Sequence, residues 1–323
     1  MKLPETWTKK DGHRIFGIFK RIENPNLSYN SRVPNQFKFS AVSRARLAGL
    51  CCLLAQLICL AYPASAQSDA SAQTGTKTQA EAKAAPDEGP AANPGRPTIS
   101  TPATLTPVGY VQFETGVLVA EHSGEFANRT GINEVIKFAP AKRLQFLVAT
   151  EPFASSDLGD HRSADAGGVA LGFQTVLLPG EGRKPTISAS YFRTVYGGTT
   201  TDLDFGSSRN SALLLISTDL GKFHVDTNYM FNEQIDHGVH RAQFGQTLSI
   251  SHPVKGRLGF TGELWHFTQP FLHGNAAGLL LAPNYNLKPN LVFDAGFNRG
   301  LTGTSTRWEF FAGFTYLLPK KLM

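Results

Sequence analysis

The last long stretch of the chain, residues 308–318, reads WEFFAGFTYLL. Trp308, Phe310, Ala312, Phe314, Tyr316 and Leu318 fall on one parity, and Glu309, Gly313 and Thr315 on the other. Side chains of a strand point alternately to its two faces, so this period of two predicts a strand with one apolar and one polar face.

Working back toward the N-terminus, the same alternation recurs. Near residue 290, Leu291, Phe293, Ala295 and Phe297 oppose Asp294, Gly296 and Asn298. Earlier, Phe223, Val225, Thr227, Tyr229 and Phe231 oppose His224, Asp226, Asn228 and Met230. Val169, Leu171, Phe173, Thr175 and Leu177 oppose Ala170, Gly172 and Gln174. Val111, Phe113, Thr115, Val117 and Val119 oppose Gln112, Glu114 and Gly116. Twelve candidate strands emerge, near 108–119, 132–139, 143–151, 167–178, 186–196, 210–219, 223–232, 241–252, 257–267, 276–286, 290–299 and 305–318. Most are about ten residues long, the length of a tilted strand that crosses a bilayer.

A soluble sheet with one wet face would alternate in the same way. Three features favour a membrane. The polar parity is rich in Gly, Ala, Ser, Gln and Asn and poor in Lys–Glu pairs. Aromatics fall near strand ends (Tyr110, Phe138, Tyr191, Tyr229, Trp265, Tyr285, Trp308, Tyr316), as an interfacial girdle requires. The connections alternate in kind. APAKR, LPGEGRKP, DLGK, HPVKGR and NLKPN are short, whereas AEHSGEFANRT, EPFASSDLGDHRSADAG, YGGTTTDLDFGSS, NEQIDHGVH, TQPFLHGN and RGLTGTST are mostly longer. Short periplasmic turns and long outer loops are the arrangement of outer-membrane barrels. The expected fold is therefore all-β: a transmembrane antiparallel up-and-down β-barrel of twelve strands, with both termini periplasmic. Hydrocarbon leaves no partner for an open sheet edge, so the first strand must pair with the last.

Three regions are expected along the chain. Residues 1–66 form an N-terminal extension and signal peptide, with basic Lys38, Arg44 and Arg46, the apolar run LAGLCCLLAQLICLAY at 47–62, and a cleavage site at Ala64-Ser65-Ala66. Residues 67–97 form a disordered periplasmic linker. From Gln67 to about Arg96 there is no aromatic residue and no Val, Ile, Leu or Met, so there is little to offset ordering entropy. Residues 98–323 form the barrel. Residues 1–66 hold 10 Lys+Arg against 3 Asp+Glu, and residues 67–323 hold 21 against 22. The basic character of the whole chain thus resides in its leader, and no nucleic-acid partner is expected. Cys51, Cys52 and Cys59 all lie in or beside the apolar run, which leaves the mature chain without disulfides or thiolate sites.

The segment GRPTISTPATLTPVGYVQFETGV, residues 95–117, resembles the opening of the outer-membrane transporters grouped with the meta-pathway of phenol degradation. The matching residues are Arg96-Pro97-Thr98, Pro102, Pro107, Gly109 and Glu114-Thr115-Gly116. The hairpin NEVIKFAPAKRLQFLVATEPF, residues 133–153, is similar to that family's second hairpin. The resemblance implies a barrel that passes or binds small, often apolar or aromatic, compounds. The final strand looks like the one by which barrel assembly machinery recognises such proteins, although the chain continues five residues past Leu318.

No P-loop, Rossmann glycine pattern, G-x-S-x-G or H-E-x-x-H occurs, nor the His-x-Ser-Asn-Gly stretch of outer-membrane phospholipase A. Asp236-His237-Gly238-Val239-His240 offers two His and an Asp, without a third His or carboxylate ligand fixed by spacing; His161 near Asp157 and Asp160 is similar. Neither site is expected to bind metal, and no catalytic residue or cofactor is expected. The lumen-facing polar candidates are Gln112, Glu114, Lys137, Gln145, Gln174, His224, Asp226, Asn228, Glu263, Asp294, Asn298 and Glu309. Charges at membrane depth are costly unless paired or wet. An excess of carboxylates over Lys137 therefore implies a hydrated lumen, or a plug that supplies Arg; a salt-bridge network that merely fills the barrel is the plainer alternative. The expected function is a porin-like channel for passive transport of small solutes across a Gram-negative outer membrane, with membrane lipid as its surroundings. The alternatives are a structural or surface-binding barrel and, third, an outer-membrane hydrolase.

Overall fold

The computed structural model describes residues 89–323 apart from 124–125, 158, 160–161, 182–183, 199–207 and 237. The expected leader, the expected linker as far as residue 88, and Asp160, His161 and His237 lie outside the described residues. The strands are β1 (Val111–Glu121), β2 (Asn128–Ala141), β3 (Leu144–Asp157), β4 (Arg162–Asp165), β5 (Val169–Leu178), β6 (Thr186–Tyr196), β7 (Ser208–Leu220), β8 (Phe223–Asp236), β9 (Val239–Lys255), β10 (Leu258–Phe267), β11 (Ala276–Lys288), β12 (Leu291–Gly300) and β13 (Trp308–Leu317). Short β4 pairs only with the far end of β3. The other twelve pair antiparallel in sequence order, and β1 meets β13 from Gln112↔Leu317 to Glu121↔Trp308. The sheet is thus a closed twelve-stranded barrel with no free margin, as hydrocarbon demands.

Which parity faces which side is decided by an inversion of the usual burial. Phe231 is 60% exposed and Phe310 49%, whereas Gln112 and Asn228 are 0% exposed. A soluble sheet would place its Phe in the core and its Gln in water. Here the apolar parity forms an outer belt and the polar parity turns inward, the pattern of a barrel immersed in lipid. The lipid-facing parity read from residues 308–318 is the observed one: Phe310 and Phe314 are exposed, while Glu309 and Thr315 are buried.

The short connections are Lys142-Arg143, residues 179–185, Gly221-Lys222, Gly256-Arg257 and Pro289-Asn290, all at one end. Three expectations need correction at the other end. EPFASSDLGDHRSADAG is largely ladder rather than loop, since β3 runs on to Asp157 against β2 and β4 pairs with its far end. NEQIDHGVH is mostly ladder rather than loop: Asn232↔Gln243 through Asp236↔Val239 remain paired, and the chain turns at Gly238 with φ 78°. Its inner parity is polar, with Asn232 and Gln234 buried, and its outer parity has only Ile235 as an apolar residue beside Glu233, so hydropathy did not mark it as strand. Trp265 is not a girdle residue. It points into the lumen, 3% exposed, and its indole N–H donates to Asn298 Oδ1 at 2.8 Å. The first strand begins at Val111 rather than 108, because residues 107–110 turn at Gly109, φ 85°. The C-terminal tail returns to this turn, Leu322 N–H donating to Gly109 O at 2.7 Å.

Candidate functional site

The lumen holds part of the chain itself. From Gly109 backwards, the segment touches the wall strand by strand. Thr106 N–H donates to Gln145 Oε1 on β3 at 2.7 Å. Gln174 Nε2 on β5 donates to Pro102 O at 2.9 Å. Ala103 is held at both main-chain groups: its N–H donates to Ser217 Oγ on β7 (2.7 Å), and its carbonyl accepts from Ser188 Oγ on β6 (2.5 Å). Asn228 on β8 takes Thr101 N–H at 2.6 Å and donates to Thr101 O at 3.0 Å. Ser100 Oγ lies 2.7 Å from Thr247 Oγ1 on β9. Glu263 on β10 accepts from Ile99 N–H (2.7 Å), Ser100 N–H (2.6 Å) and Ser100 Oγ (2.6 Å).

Arg96 then reaches Asp294 on β12 at 3.1 Å, Gly95 N–H donates to Glu114 on β1 at 2.9 Å, and Gln112 clamps Asn93 through both its N–H (2.8 Å) and its carbonyl (2.6 Å). Asn93 Nδ2 also donates to Thr104 O at 2.9 Å, which ties the two ends of the circuit together. Ala92 N–H leaves toward Pro289 O in a short turn. The segment therefore follows the inner wall. It is held mainly through its backbone, whose amides need partners once they are out of water.

The expected boundary at residue 97 falls within this bonded segment, since Asn93, Gly95 and Arg96 are already joined to the wall. The segment lacks an apolar pattern because the wall supplies polar side chains rather than an apolar groove.

Arg96 lies in a cradle with a glycine floor. Gly116 and Gly313 face each other across β1 and β13, and a Cβ on Gly116 would lie 2.3 Å from the Arg96 guanidinium. Glycine in a strand here permits close approach of another group. Asp294 accepts from Arg96, and Lys137 pairs with Glu114 beside it, so two cations meet two carboxylates. Of the alternatives read from the charge excess, this is the one in which a lumenal segment supplies an Arg.

The remaining candidates fall into place around this circuit. Asp226 accepts from Ser217 Oγ at 2.5 Å and so acts on Ala103 through that hydroxyl. His224 Nδ1 lies 2.6 Å from Asp219 near the short-turn end. Asn298 and Glu309 sit further along the wall, Asn298 Nδ2 donating to Glu309 Oε2 at 3.1 Å beneath Trp265. Beyond the segment the lumen turns partly apolar. Met230, Trp265, Phe267 and Ala276 pack together, with Ile99 of the segment and Leu213 against them. Arg129 and Glu151 form an inward ion pair at 2.6 Å toward the long-loop end. Ser188, Ser217, Arg129 and Glu151 were not singled out from sequence, and Arg96 only as part of the motif shared with the transporter family, not as a lumen residue. Parity alone would have placed Ser188 and Ser217 inward, whereas nothing in the pattern gives Arg96 its partner. At the Asp236–His240 turn, His240 Nδ1 lies 2.7 Å from Glu233 Oε1 on the outer face.

No protein-family model and no curated protein matches the chain. Among solved structures, an outer membrane channel from Pseudomonas putida F1 is similar at 14% identity, covering 70% of this chain and 99% of that one, with a TM-score of 0.49. The NanC porin is similar at 9% identity over 62% of this chain and 98% of that one, TM-score 0.44. The CymD monoaromatic hydrocarbon channel is similar at 10% identity over 64% and 88%, TM-score 0.36. The class follows from the molecule's own ladder and belt: a closed antiparallel barrel, apolar outside and polar inside, is an outer-membrane β-barrel.

Proposed function

We propose that the chain is an outer-membrane channel for small solutes whose bore is set by residues 93–106, with the short turns and both termini on the periplasmic side. The observation that carries this reading is the path of the segment. Its partners advance from β3 through β5–β10 and β12 back to β1, so it lines the wall instead of running along the axis. Twelve strands enclose more room than side chains alone fill. A circumferential lining narrows such a lumen to a constriction, with the Arg96–Asp294 and Lys137–Glu114 pairs on one side and Asn228 and Glu263 on the other. Small apolar or aromatic solutes are the class that the resemblance of residues 95–117 implies.

A second reading has its own support. Ser100, Ala103 and Thr106 are at most 2% exposed, which also suits a segment that seals the barrel and leaves its work to the outer loops. Planar-bilayer conductance and liposome swelling separate the two. For a channel, the full chain conducts or admits small apolar solutes, and deleting residues 89–106 raises single-channel conductance several-fold. A folded full chain that passes neither ions nor solutes, with conductance appearing only on deletion, would establish the sealed barrel instead.

A further inference from the structure

On the lipid-facing side, the long-loop ends of β6–β9 carry polar groups that the lumen does not use. Tyr191 OH donates to Asn210 Oδ1 at 2.7 Å, Asn210 Nδ2 donates to Glu233, and His240 lies 2.7 Å from Glu233. The register places all four on the outer parity: Tyr191 pairs with Ala212 and Ala212 with Phe231, Arg193 pairs with Asn210 and Asn210 with Glu233, and His240 pairs with Ile235, two residues on from Glu233. Arg193 Nη1 donates to Asn210 Oδ1 at 3.2 Å. Arg209 is the extra residue where the β7–β8 register shifts, a bulge that re-aims a side chain, and its charge acts on Glu233.

Two neighbouring grooves open there. One, of about 400 Å³, is lined by Tyr191, Ala212 and Phe231 below and by Asn210, Glu233 and His240 above. The other, of about 460 Å³, is lined by Arg193, Val195, Arg209 and Ile235. One step toward the bilayer lies an aromatic patch, with Phe231 and Phe244 ring centroids 5.3 Å apart and Phe173 and Tyr191 5.9 Å apart.

Charge sets what such a place can hold. Glu233 is engaged by His240 and Asn210. Among the described residues, neither Arg193 nor Arg209 forms an ion pair. Two guanidinium groups therefore stand above an aromatic belt, on a wall that meets lipid, over grooves with apolar floors. Guanidinium matches phosphate with two parallel hydrogen bonds, and its attraction is strong where water is partly excluded. An amphiphile with a phosphorylated head and acyl chains fits this gradient. A free soluble anion would leave the apolar floor unused.

We propose that the long-loop ends of β6–β8 form a docking site for the phosphorylated head of an outer-leaflet glycolipid, with Arg193 and Arg209 binding phosphate and Tyr191 and Phe231 seating the adjoining apolar part. The site rests on the orientation given under Proposed function, since the long-loop end must face the outer leaflet.

The test uses the full chain folded in detergent, titrated with bisphosphorylated lipid A, dephosphorylated lipid A, phosphatidylglycerol or inorganic phosphate, with thermal unfolding and bound lipid as readouts. Bisphosphorylated lipid A should raise the unfolding temperature, and the Arg193→Gln/Arg209→Gln double variant should bind it at least tenfold more weakly. Equal binding by the double variant, or an equal response to dephosphorylated lipid A, phosphatidylglycerol or inorganic phosphate, overturns the proposal. A retained heat-modifiable gel shift shows that the double variant is folded. Its conductance reports on the channel independently, and protease access to the β10–β11 loop on whole cells reports on orientation independently.

Discussion

Arg96 shows how much a single residue depends on what lies beneath it. The guanidinium occupies space that side chains on Gly116 and Gly313 would take, and its charge is met by Asp294. The two glycines are not equivalent. The three atoms nearest a Cβ on Gly116 all belong to the Arg96 side chain, whereas the nearest to one on Gly313 is Thr115 O at 2.5 Å. Gly116→Ala should dislodge Arg96 and forfeit a charge-assisted hydrogen bond worth about 2 kcal/mol, leaving the wall intact. Limited proteolysis of residues 89–106 should accelerate roughly thirtyfold on that basis, with unchanged heat-modifiability. Gly313→Ala should lower the unfolding temperature of the barrel as well. If both variants leave proteolysis at the wild-type rate, the cradle does not hold the segment.

At the scale of the element, β10 combines two jobs. Glu263 faces the segment, while Trp265 and Phe267 lie across glycines of the flanking strands: Phe267 over Gly245 of β9 and Trp265 over Gly278 of β11. Added side chains would meet these rings at 2.3 and 2.2 Å. Gly278→Ala should overpack the site at a cost of about 1–3 kcal/mol and push Trp265 off Asn298. A shifted tryptophan emission maximum together with a lowered unfolding temperature is the expected outcome; an unaltered spectrum would show that the indole is not confined. The elements themselves were largely legible. Eleven of the twelve expected strands begin and end within a few residues of a real one, because parity is a local property that burial on one side enforces. The β8–β9 extension was missed because Asn, Gln, Glu and His there give no hydropathy contrast. Trp265 was misplaced because an aromatic near a strand end fits a girdle and a packed lumen equally well.

For the whole molecule, the decisive contrast is between the two faces. Phe314 sits mid-wall on the lipid side, 37% exposed, in β13, which closes the barrel against β1. Phe314→Arg should cost about 2–4 kcal/mol for folding into bilayers, as charges do on the lipid face near the midplane. Comparable folding yields for Phe314→Arg and wild type in liposomes would mean this wall does not meet hydrocarbon.

The sequence by itself determined the barrel: strand number, parity, short turns at one end and closure all follow from alternating hydropathy and from the need to satisfy every backbone group in lipid. It also placed Gln112, Gln145, Gln174, Asn228 and Glu263 on the inner parity. Only the tertiary structure decided what those side chains bind. Residues 93–106 are polar and proline-rich and have no pattern of their own, and their partners lie as far as 198 positions away in the chain, as in Arg96 and Asp294. Contacts made through backbone amides leave no mark on side-chain composition, so residues 93–97 read as linker, and the path of residues 98–106 stays hidden, until the wall around them is seen.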